Sequence, residues 1–191
     1  MSEKSTWLAI QPGWQAADEA NLVASACTDP NAFGRLYDHY VQPVYAYLYS
    51  RVGSAPEAED ITAQTFLAAL EGINRYRHQG YFAAWLFSIA HHKMVEYFRK
   101  QHRQLPLFAA EQVPAGVDTL QQMITSERSA ALQQLIKDLP EEERELIRLR
   151  YVADLRFSEI AALLGRTEES TKKTLYRLLE RIHMQLEEHH D

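Results

Sequence analysis

Cations and aromatic side chains are concentrated in one part of this sequence, between Arg75 and Arg103. Six of the 20 Lys and Arg lie there against one acid, so this window carries a charge of +5 in a chain of net charge -6. Aromatic rings beside cations suit unpaired nucleic-acid bases, because stacking contributes about 1 to 3 kcal/mol per base and cations neutralise phosphates. The predicted single-strand-binding residues are Arg75, Tyr76, Arg77, Tyr81, Trp85, His92, Arg99 and Lys100. For Phe82, Phe87 and Phe98 we prefer the alternative, that they fill the core.

A second group of cations lies in a helix-turn-helix pattern, RFSEIAALLGRTEESTKKTLYRLLERIHMQL, residues 156–186. Gly165 ends the first predicted helix, and Thr167 caps the second. The inward positions of the second helix are Thr171, Leu175, Leu178 and Ile182, at helical spacing. The predicted duplex-binding residues are Arg148, Lys172, Lys173, Tyr176 and Arg177. Taken alone, the motif equally allows an ordinary helical hairpin with a solvated charged face.

A third candidate surface lies on the predicted helix AEDITAQTFLAALE, residues 58–71. Phe66, Leu70 and Ile73 are predicted to face the core. Asp60, Gln64, Leu67 and Glu71 are predicted to share another face of this helix. A Leu surrounded by acids and amides is either a harmless exposed side chain or the centre of a contact with a basic partner helix.

Catalytic and metal chemistry find no support in the sequence. It contains no Gly-rich phosphate loop and no nucleophile elbow, so no catalytic residue is predicted and the protein is not expected to be an enzyme. His91 and His92 diverge by about 100° on a helix, without the spacing of metal ligands. The single Cys27 is interpreted as a buried structural thiol. Neither a metal nor another cofactor is expected.

The composition of the 191-residue chain predicts an all-α protein, because it is 46% hydrophobic with only seven Gly and seven Pro. We predict an N-terminal extension (1–20), a first helical block (21–103), a linker (104–125) with two prolines, and a second helical block (126–191). The N-terminus lacks a leader pattern, and the longest apolar run, YFAAWLFSIA, is too short to span a bilayer. A cytoplasmic protein without membrane insertion is therefore expected.

The order of these motifs resembles a known family. AFGRLYDHYVQPVYAYL, AEDITAQTFLAAL and YFAAWLFSIAHHKMVEYFRK are similar to region 2 of bacterial sigma factors. LIKDLPEEERELIRLRYVADLRFSEIAALLGRTEESTKKTLYRLLERI is similar to their region 4. Two such regions without a region 3 between them resemble the extracytoplasmic-function (ECF) group. The chain departs from the family pattern at Ser88, at His91 and His92, and at Glu169 and Thr171, which bears on promoter preference.

The resemblance implies a transcription initiation factor. Region 2 would bind core RNA polymerase and melt the minus-ten promoter element, and region 4 would recognise the minus-thirty-five element. The implied partners are promoter DNA and core polymerase, which would be contacted through its β′ coiled coil and its β subunit. An anti-sigma factor is a further partner that the resemblance allows. In this family the helix carrying Asp60 contacts the β′ coiled coil, although Ala63 and Gln64 depart from the usual motif. The alternative is a helix-turn-helix regulator that acts without core polymerase.

Overall fold

The computed structural model of this chain describes residues 16–77, 81–104 and 127–188, and these residues are helical with no strand among them. The helices are α1 (Ala16–Ala26), α2 (Pro30–Val52), α3 (Ala55–Gly72), α4 (Phe82–Gln104), α5 (Glu127–Asp138), α6 (Glu141–Ile147), α7 (Phe157–Leu164) and α8 (Glu168–Glu188). A 3-10 turn (Ile73–Arg75) follows α3, and a π turn (Arg148–Val152) follows α6. The all-α prediction is confirmed. Most of the predicted linker lies outside the described residues.

Local signals fix where several helices begin and end. The Asp29 carboxylate accepts a hydrogen bond of 2.9 Å from the Asn31 N–H at the start of α2, where Pro30 occupies the first turn. Gly53 ends α2 with a φ of 73°, a left-handed conformation that favours glycine. The second block uses the same devices. Gly165 ends α7 with a φ of 64°, and the Thr167 hydroxyl accepts from the Ser170 N–H at 3.2 Å.

The first block, α1 to α4, has an apolar core to which all four helices contribute. Leu36 and Leu48 of α2, Ile61 of α3 and Phe87 of α4 are at most 1% exposed. Each side chain of this size stabilises the fold by about 1.5 to 3 kcal/mol on full burial. Phe82 is also buried, as predicted, while Phe98 is half-buried against the same core. The helix pairs α2 with α3 and α3 with α4 make the main contacts.

The second block, α5 to α8, buries the predicted inward face of α8. Leu175, Leu178 and Ile182 are buried against Ile160 of α7 in one cluster. Thr171 is fully buried, and its hydroxyl donates to the Thr167 carbonyl oxygen at 2.9 Å. That bond satisfies the only polar group of the side chain, so a threonine is tolerated on an otherwise apolar face.

The two blocks pack directly against each other. Helix α7 lies against α4, and α2 lies against the π turn. Their buried apolar side chains form one continuous cluster. Several hydrogen bonds and ion pairs cross between the blocks, including one from Tyr47 of α2 to Glu145 of α6. The helix-turn-helix is therefore positioned relative to the first block by side-chain contacts.

Candidate nucleic-acid interface

An aromatic cluster lies where the segment after the 3-10 turn packs against the start of α4. The Tyr76 ring centroid is 4.9 Å from that of Trp85 and 5.7 Å from that of Phe82, and Phe82 is 5.5 Å from Trp85. Phe82 is buried, whereas Tyr76 and Trp85 are only half-buried and present ring surface at the edge of the core. The sequence predicted that Trp85 faces away from the core. It is partly inserted instead, because Gly72 leaves room for its indole ring.

The closeness of Trp85 to Gly72 shows how tightly this ring is held. A Cβ atom added at Gly72 would lie 3.3 Å from Cζ2 of Trp85, which is closer than most Cβ contacts. A larger residue at position 72 would therefore require the indole ring to shift slightly. Glycine at the end of α3 thus allows the close approach of the tryptophan, a role that the sequence pattern alone did not reveal.

Around these rings lies an open cavity of about 460 Å³. Its lining from the first block consists of Arg75, Tyr76, Arg77, Tyr81, Ala84, Trp85 and Ser88, and its lining from α7 consists of Ala162 and Leu163. The exposed Arg75 and Arg77 place two positive charges beside half-buried rings. Such a site has the chemistry that an unstacked base and its flanking phosphates require.

The structure brings five of the eight predicted single-strand-binding residues to this cavity, and three lie elsewhere. His92 is exposed one turn beyond Ser88, with its Nδ1 atom 2.6 Å from the Ser88 carbonyl oxygen. Arg99 and Lys100 are exposed two turns farther along α4. They extend the positive charge along this helix without lining the cavity. Ser88, which was noted only as a departure from the family pattern, does line it.

The second candidate surface is the outer face of α8, where four of the predicted residues are exposed: Lys172, Lys173, Tyr176 and Arg177. Lys172 Nζ lies 2.7 Å from a Glu168 carboxylate oxygen, and this hydrogen bond raises the pKa of the lysine. Phe157 at the start of α7 joins the same face, with its ring centroid 5.6 Å from Lys172 Nζ and 5.3 Å from the Arg150 guanidinium. Phe157 and Arg150 were not predicted, because their meeting depends on the turn between α6 and α7.

Arg148, the fifth residue predicted to bind duplex DNA, is placed differently by the structure. Its side chain is buried, and Nη1 lies 3.0 Å from a Glu141 oxygen and 3.6 Å from a Glu145 oxygen. In this conformation the guanidinium faces α6 and the first block, not the outer face of α8. A buried cation requires such anionic partners, and the acids one and two turns earlier supply them.

The third candidate surface, on α3, is exposed over most of its length. Leu67 is 58% exposed, and Gln64 Nε2 donates to the Asp60 carboxylate at 2.6 Å. The prediction that Leu70 faces the core was wrong, since it is 47% exposed. At about 100° per residue it lies roughly midway between the buried Phe66 and the exposed Leu67.

The small buried Ala69 occupies the contact with the neighbouring helices instead. Tyr37 of α2 borders the same surface, because its ring packs edge-on against Phe66 at 4.8 Å and is 42% exposed. We call Tyr37, Leu67 and Leu70 the α3 patch.

Three findings concern other kinds of site. The prediction that Cys27 is buried was wrong, since its side chain is exposed. Among the described residues, no group of three or more His, Cys, Asp or Glu is arranged to hold a metal ion. None of the helices in the described ranges combines the length and the apolar character needed to cross a membrane.

The structure combines two features: a helical domain with an aromatic and cationic cavity, and a helix-turn-helix domain. Together they define the class of two-domain DNA-binding proteins. Comparison with known proteins supports this class. Residues 36–104 match the Sigma-70 region 2 family, and residues 129–182 match the Sigma-70, region 4 family. The ECF RNA polymerase sigma factor BldN of Streptomyces coelicolor is 35% identical over 153 residues, covering 78% of this chain. The chain spans 58% of the length of that relative.

Two further comparisons extend this result. The ECF RNA polymerase sigma factor SigX of Bacillus subtilis is 30% identical over 168 residues, covering 81% of this chain and 84% of SigX. The solved structure of the sigma factor RpoE in complex with the anti-sigma factor NepR, from Bartonella quintana, has a TM-score of 0.59. At 19% identity, over 81% of this chain and 96% of RpoE, it shows a shared fold. The chain therefore belongs to the ECF group of sigma-70 RNA polymerase sigma factors.

Proposed function

We propose that this sigma factor binds core RNA polymerase through the α3 patch and captures unpaired bases of the melted promoter at the cavity of region 2. The observation that carries the proposal is the cavity itself, in which Tyr76 and Trp85 present ring surface beside Arg75 and Arg77. Stacking there would offset the cost of unstacking a base, which is a few kcal/mol. Tyr81 would add a further ring at the cavity edge, and the protein would act in the cytoplasm.

Region 4 would dock on upstream duplex through α8. Lys173 and Arg177 are one turn apart on its exposed face, and Lys172 and Tyr176 flank them. Arg148 would contribute only after it leaves Glu141 and Glu145. His92, Arg99 and Lys100 would follow the phosphates of the strand along α4. A regulator acting through the helix-turn-helix alone is not favoured, because it would leave the region 2 cavity without a role.

An anti-sigma factor is a further proposed partner. It is suggested by the solved complex of RpoE, which has a similar fold, with the anti-sigma factor NepR.

The polymerase contact would involve acidic and apolar side chains on α3, which would bind the basic β′ coiled coil. The Leu side chains would be buried at the centre of this contact, and Asp60 and Glu71 would lie at its rim. Gln64, hydrogen-bonded to Asp60, would hold that carboxylate toward the partner.

The polymerase interface is tested by Leu67→Asp. Because Leu67 is 58% exposed, the substitution should change folding stability by less than about 0.5 kcal/mol. A central interface residue contributes about 2 kcal/mol or more to binding, so affinity for core polymerase should fall by about 30-fold or more. Asp60→Lys should weaken binding less, because a charge at the rim contributes less than a buried apolar group.

Val95→Asp is the matched control, since Val95 is 40% exposed in the same domain but lies on α4. Binding to immobilised core enzyme is measured by pull-down for each variant, and circular dichroism reports its folding. We expect the Val95→Asp protein to bind like the wild type. Unchanged binding by a folded Leu67→Asp protein would remove α3 from the polymerase interface.

A further inference from the structure

The cavity of region 2 offers a captured base few uncharged polar groups. Ala84 and the residues of α7 contribute only apolar surface to its lining. The Tyr76 hydroxyl oxygen is buried, so this side chain presents its ring and not its hydroxyl group. Ser88 is half-buried on α4, one turn after Trp85, and lines the cavity. Residues three apart on a helix are neighbours, so the Ser88 hydroxyl lies close to the edge of a base that stacks on Trp85.

The Ser88 hydroxyl has a single proton, and that proton is already used in a hydrogen bond to the backbone. Its Oγ atom lies 2.6 Å from the Trp85 carbonyl oxygen. A carbonyl oxygen only accepts hydrogen bonds, so the hydroxyl group is the donor in this contact. The Ser88 oxygen then has lone pairs but no proton left for a ligand. Toward the cavity, Ser88 is therefore an acceptor and not a donor.

The two arginines of the cavity have the opposite polarity. Arg75 and Arg77 are exposed, and a guanidinium group carries only donors. If they were turned toward a base, they would favour carbonyl oxygens and oppose selection by Ser88. A strand brings a phosphate on each side of a captured base, however, and a charge-assisted hydrogen bond to phosphate is stronger than one to a neutral carbonyl. Both arginines therefore bind phosphates, which leaves Ser88 to contact the base edge.

The exocyclic amino group separates thymine from the other three DNA bases. Adenine, cytosine and guanine each carry one, whereas thymine carries carbonyl oxygens instead. An amino group donates to the Ser88 oxygen and so adds a hydrogen bond to the one with Trp85. A thymine carbonyl needs the Ser88 proton, so its hydrogen bond only replaces the one with Trp85. Thymine therefore makes one hydrogen bond fewer in this site than the other bases do.

We propose that Ser88 makes the region 2 cavity selective for a base with an exocyclic amino group and against thymine. The inference rests on the proposed function, because it names the class of base that the base-capturing cavity accepts. Ser88 is also a position at which the chain departs from the sigma-factor pattern. The base preference of relatives therefore does not carry over to this position, and the hydrogen bonds of Ser88 decide it.

The test uses the full-length chain and DNA strands in which only the central nucleotide carries a base. Each strand has about seven nucleotides, within the usual site size of a single-strand-binding surface. The other positions are abasic, so the phosphates remain for Arg75 and Arg77 but only one base can stack. The central base is adenine, purine, cytosine or thymine, and a fully abasic strand gives the baseline. Purine differs from adenine only in the missing amino group.

Fluorescence anisotropy of the labelled strands measures each affinity at low salt, because binding to phosphates weakens as the salt concentration rises. For the wild type, adenine should bind more tightly than purine, and cytosine more tightly than thymine. Each difference should be about two- to tenfold, as expected for one neutral hydrogen bond. Comparison within one ring size keeps the stacking surface nearly constant, so these ratios report the amino group and not the area of the base.

Ser88→Ala removes the acceptor and should abolish both preferences. In this variant the adenine strand should bind like the purine strand, and both should still bind more tightly than the abasic strand. Ser25→Ala is the matched control, because the exposed Ser25 hydroxyl also donates to a backbone carbonyl of its own helix, that of Asn21 at 2.9 Å, but lies on α1 outside the cavity. The control should keep the wild-type ratios. A substitution that only displaced Trp85 would weaken all base-bearing strands and leave the ratios unchanged.

Three other results would overturn the inference. Equal affinities for adenine and purine, both above that of the abasic strand, would show that the cavity captures a base without contacting its amino group, and would leave the proposed function intact. Tighter binding of thymine than of cytosine, or wild-type ratios in Ser88→Ala, would show that another group selects the base. If no base-bearing strand bound more tightly than the abasic strand, base capture by region 2 would itself be refuted, so this outcome is distinguishable from the other two.

Discussion

Tyr81→Ala is the cleanest probe of promoter melting that the structure offers. Tyr81 precedes α4 at the cavity edge and is 39% exposed, and its carbonyl oxygen accepts a hydrogen bond from the Trp85 N–H that alanine preserves. The substitution should therefore alter stability by less than about 0.5 kcal/mol. Trp85→Ala is less suitable. Full truncation of a buried tryptophan costs about 3 to 5 kcal/mol, and this half-buried ring should contribute about half of that.

The expected defect of Tyr81→Ala lies in open-complex formation. Loss of stacking on one base removes about 1 to 3 kcal/mol, which corresponds to a decrease of about 5- to 150-fold in the equilibrium between open and closed complexes. Binding of the closed complex should change little, because no base is unpaired in it. Tyr151→Ala is the control, since Tyr151 is 58% exposed in region 4 and lies outside the cavity.

Permanganate reactivity of unpaired thymines measures the open complex, and filter retention at low temperature measures the closed one. The promoter is one identified by run-off transcription on genomic fragments with core enzyme. A less than twofold change in permanganate reactivity would show that Tyr81 does not contact an extruded base. An equal loss of both complexes, with normal circular dichroism, would place Tyr81 in duplex binding instead.

Two further predictions concern region 4 and the contact between the regions. The double variant Lys173→Ala, Arg177→Ala should protect the upstream element less in footprinting. The slope of log affinity against log salt concentration should become smaller by about one for each lost phosphate contact. Unchanged protection would show that this face does not touch DNA. His39 lies beside the ring of Tyr40, and burial lowers its pKa. The charge of Arg156 lowers this pKa further, whereas the charge of Glu159 raises it. At a pH near 6 the unfolded chain therefore binds more protons than the folded one, so the free energy of unfolding should fall as the pH drops below about 6.5. Urea unfolding of His39→Gln should show a smaller decrease over the same pH range. Equal decreases in the variant and the wild type would show that His39 does not cause this pH dependence.

The helices and their faces could be predicted because they depend on short-range patterns. The period of Thr171, Leu175 and Leu178 is set by helix geometry alone, and all three are buried as expected. Gly165 and Thr167 end and begin helices for equally local reasons. The concentration of aromatic and basic residues just before α4 could likewise identify most of the cavity lining. It could not supply the depth to which each ring is inserted.

The rest depends on contacts between residues far apart in the chain. Tyr47 and Glu145 are separated by 98 residues, and no period in either helix indicates that they meet. Arg148 lies in the π turn that packs against α2, so its burial could not be derived from the α8 pattern. Leu70 illustrates a second limit. It lies about 40° around the helix from the buried Phe66, a position that helical period alone assigns neither to the core nor to the surface, and in the structure it is 47% exposed.

The ion pairs between the two blocks change how the acidity of the chain is interpreted. From the net charge of -6, weak binding of the free protein to DNA is expected as a repulsion spread over the whole surface. In the structure, individual acids have specific partners, since Glu141 and Glu145 hold Arg51 and Arg148, and Glu19 holds Arg156. These two explanations predict different responses to removal of a single charge. Glu141→Gln and Glu143→Gln change the net charge equally, so a diffuse field would raise oligonucleotide affinity by the same factor in both. Glu141 pairs with Arg51 of the first block, whereas Glu143 pairs with Arg181 of the second, so a larger effect of Glu141→Gln assigns the weak binding to this specific ion pair and not to the net charge.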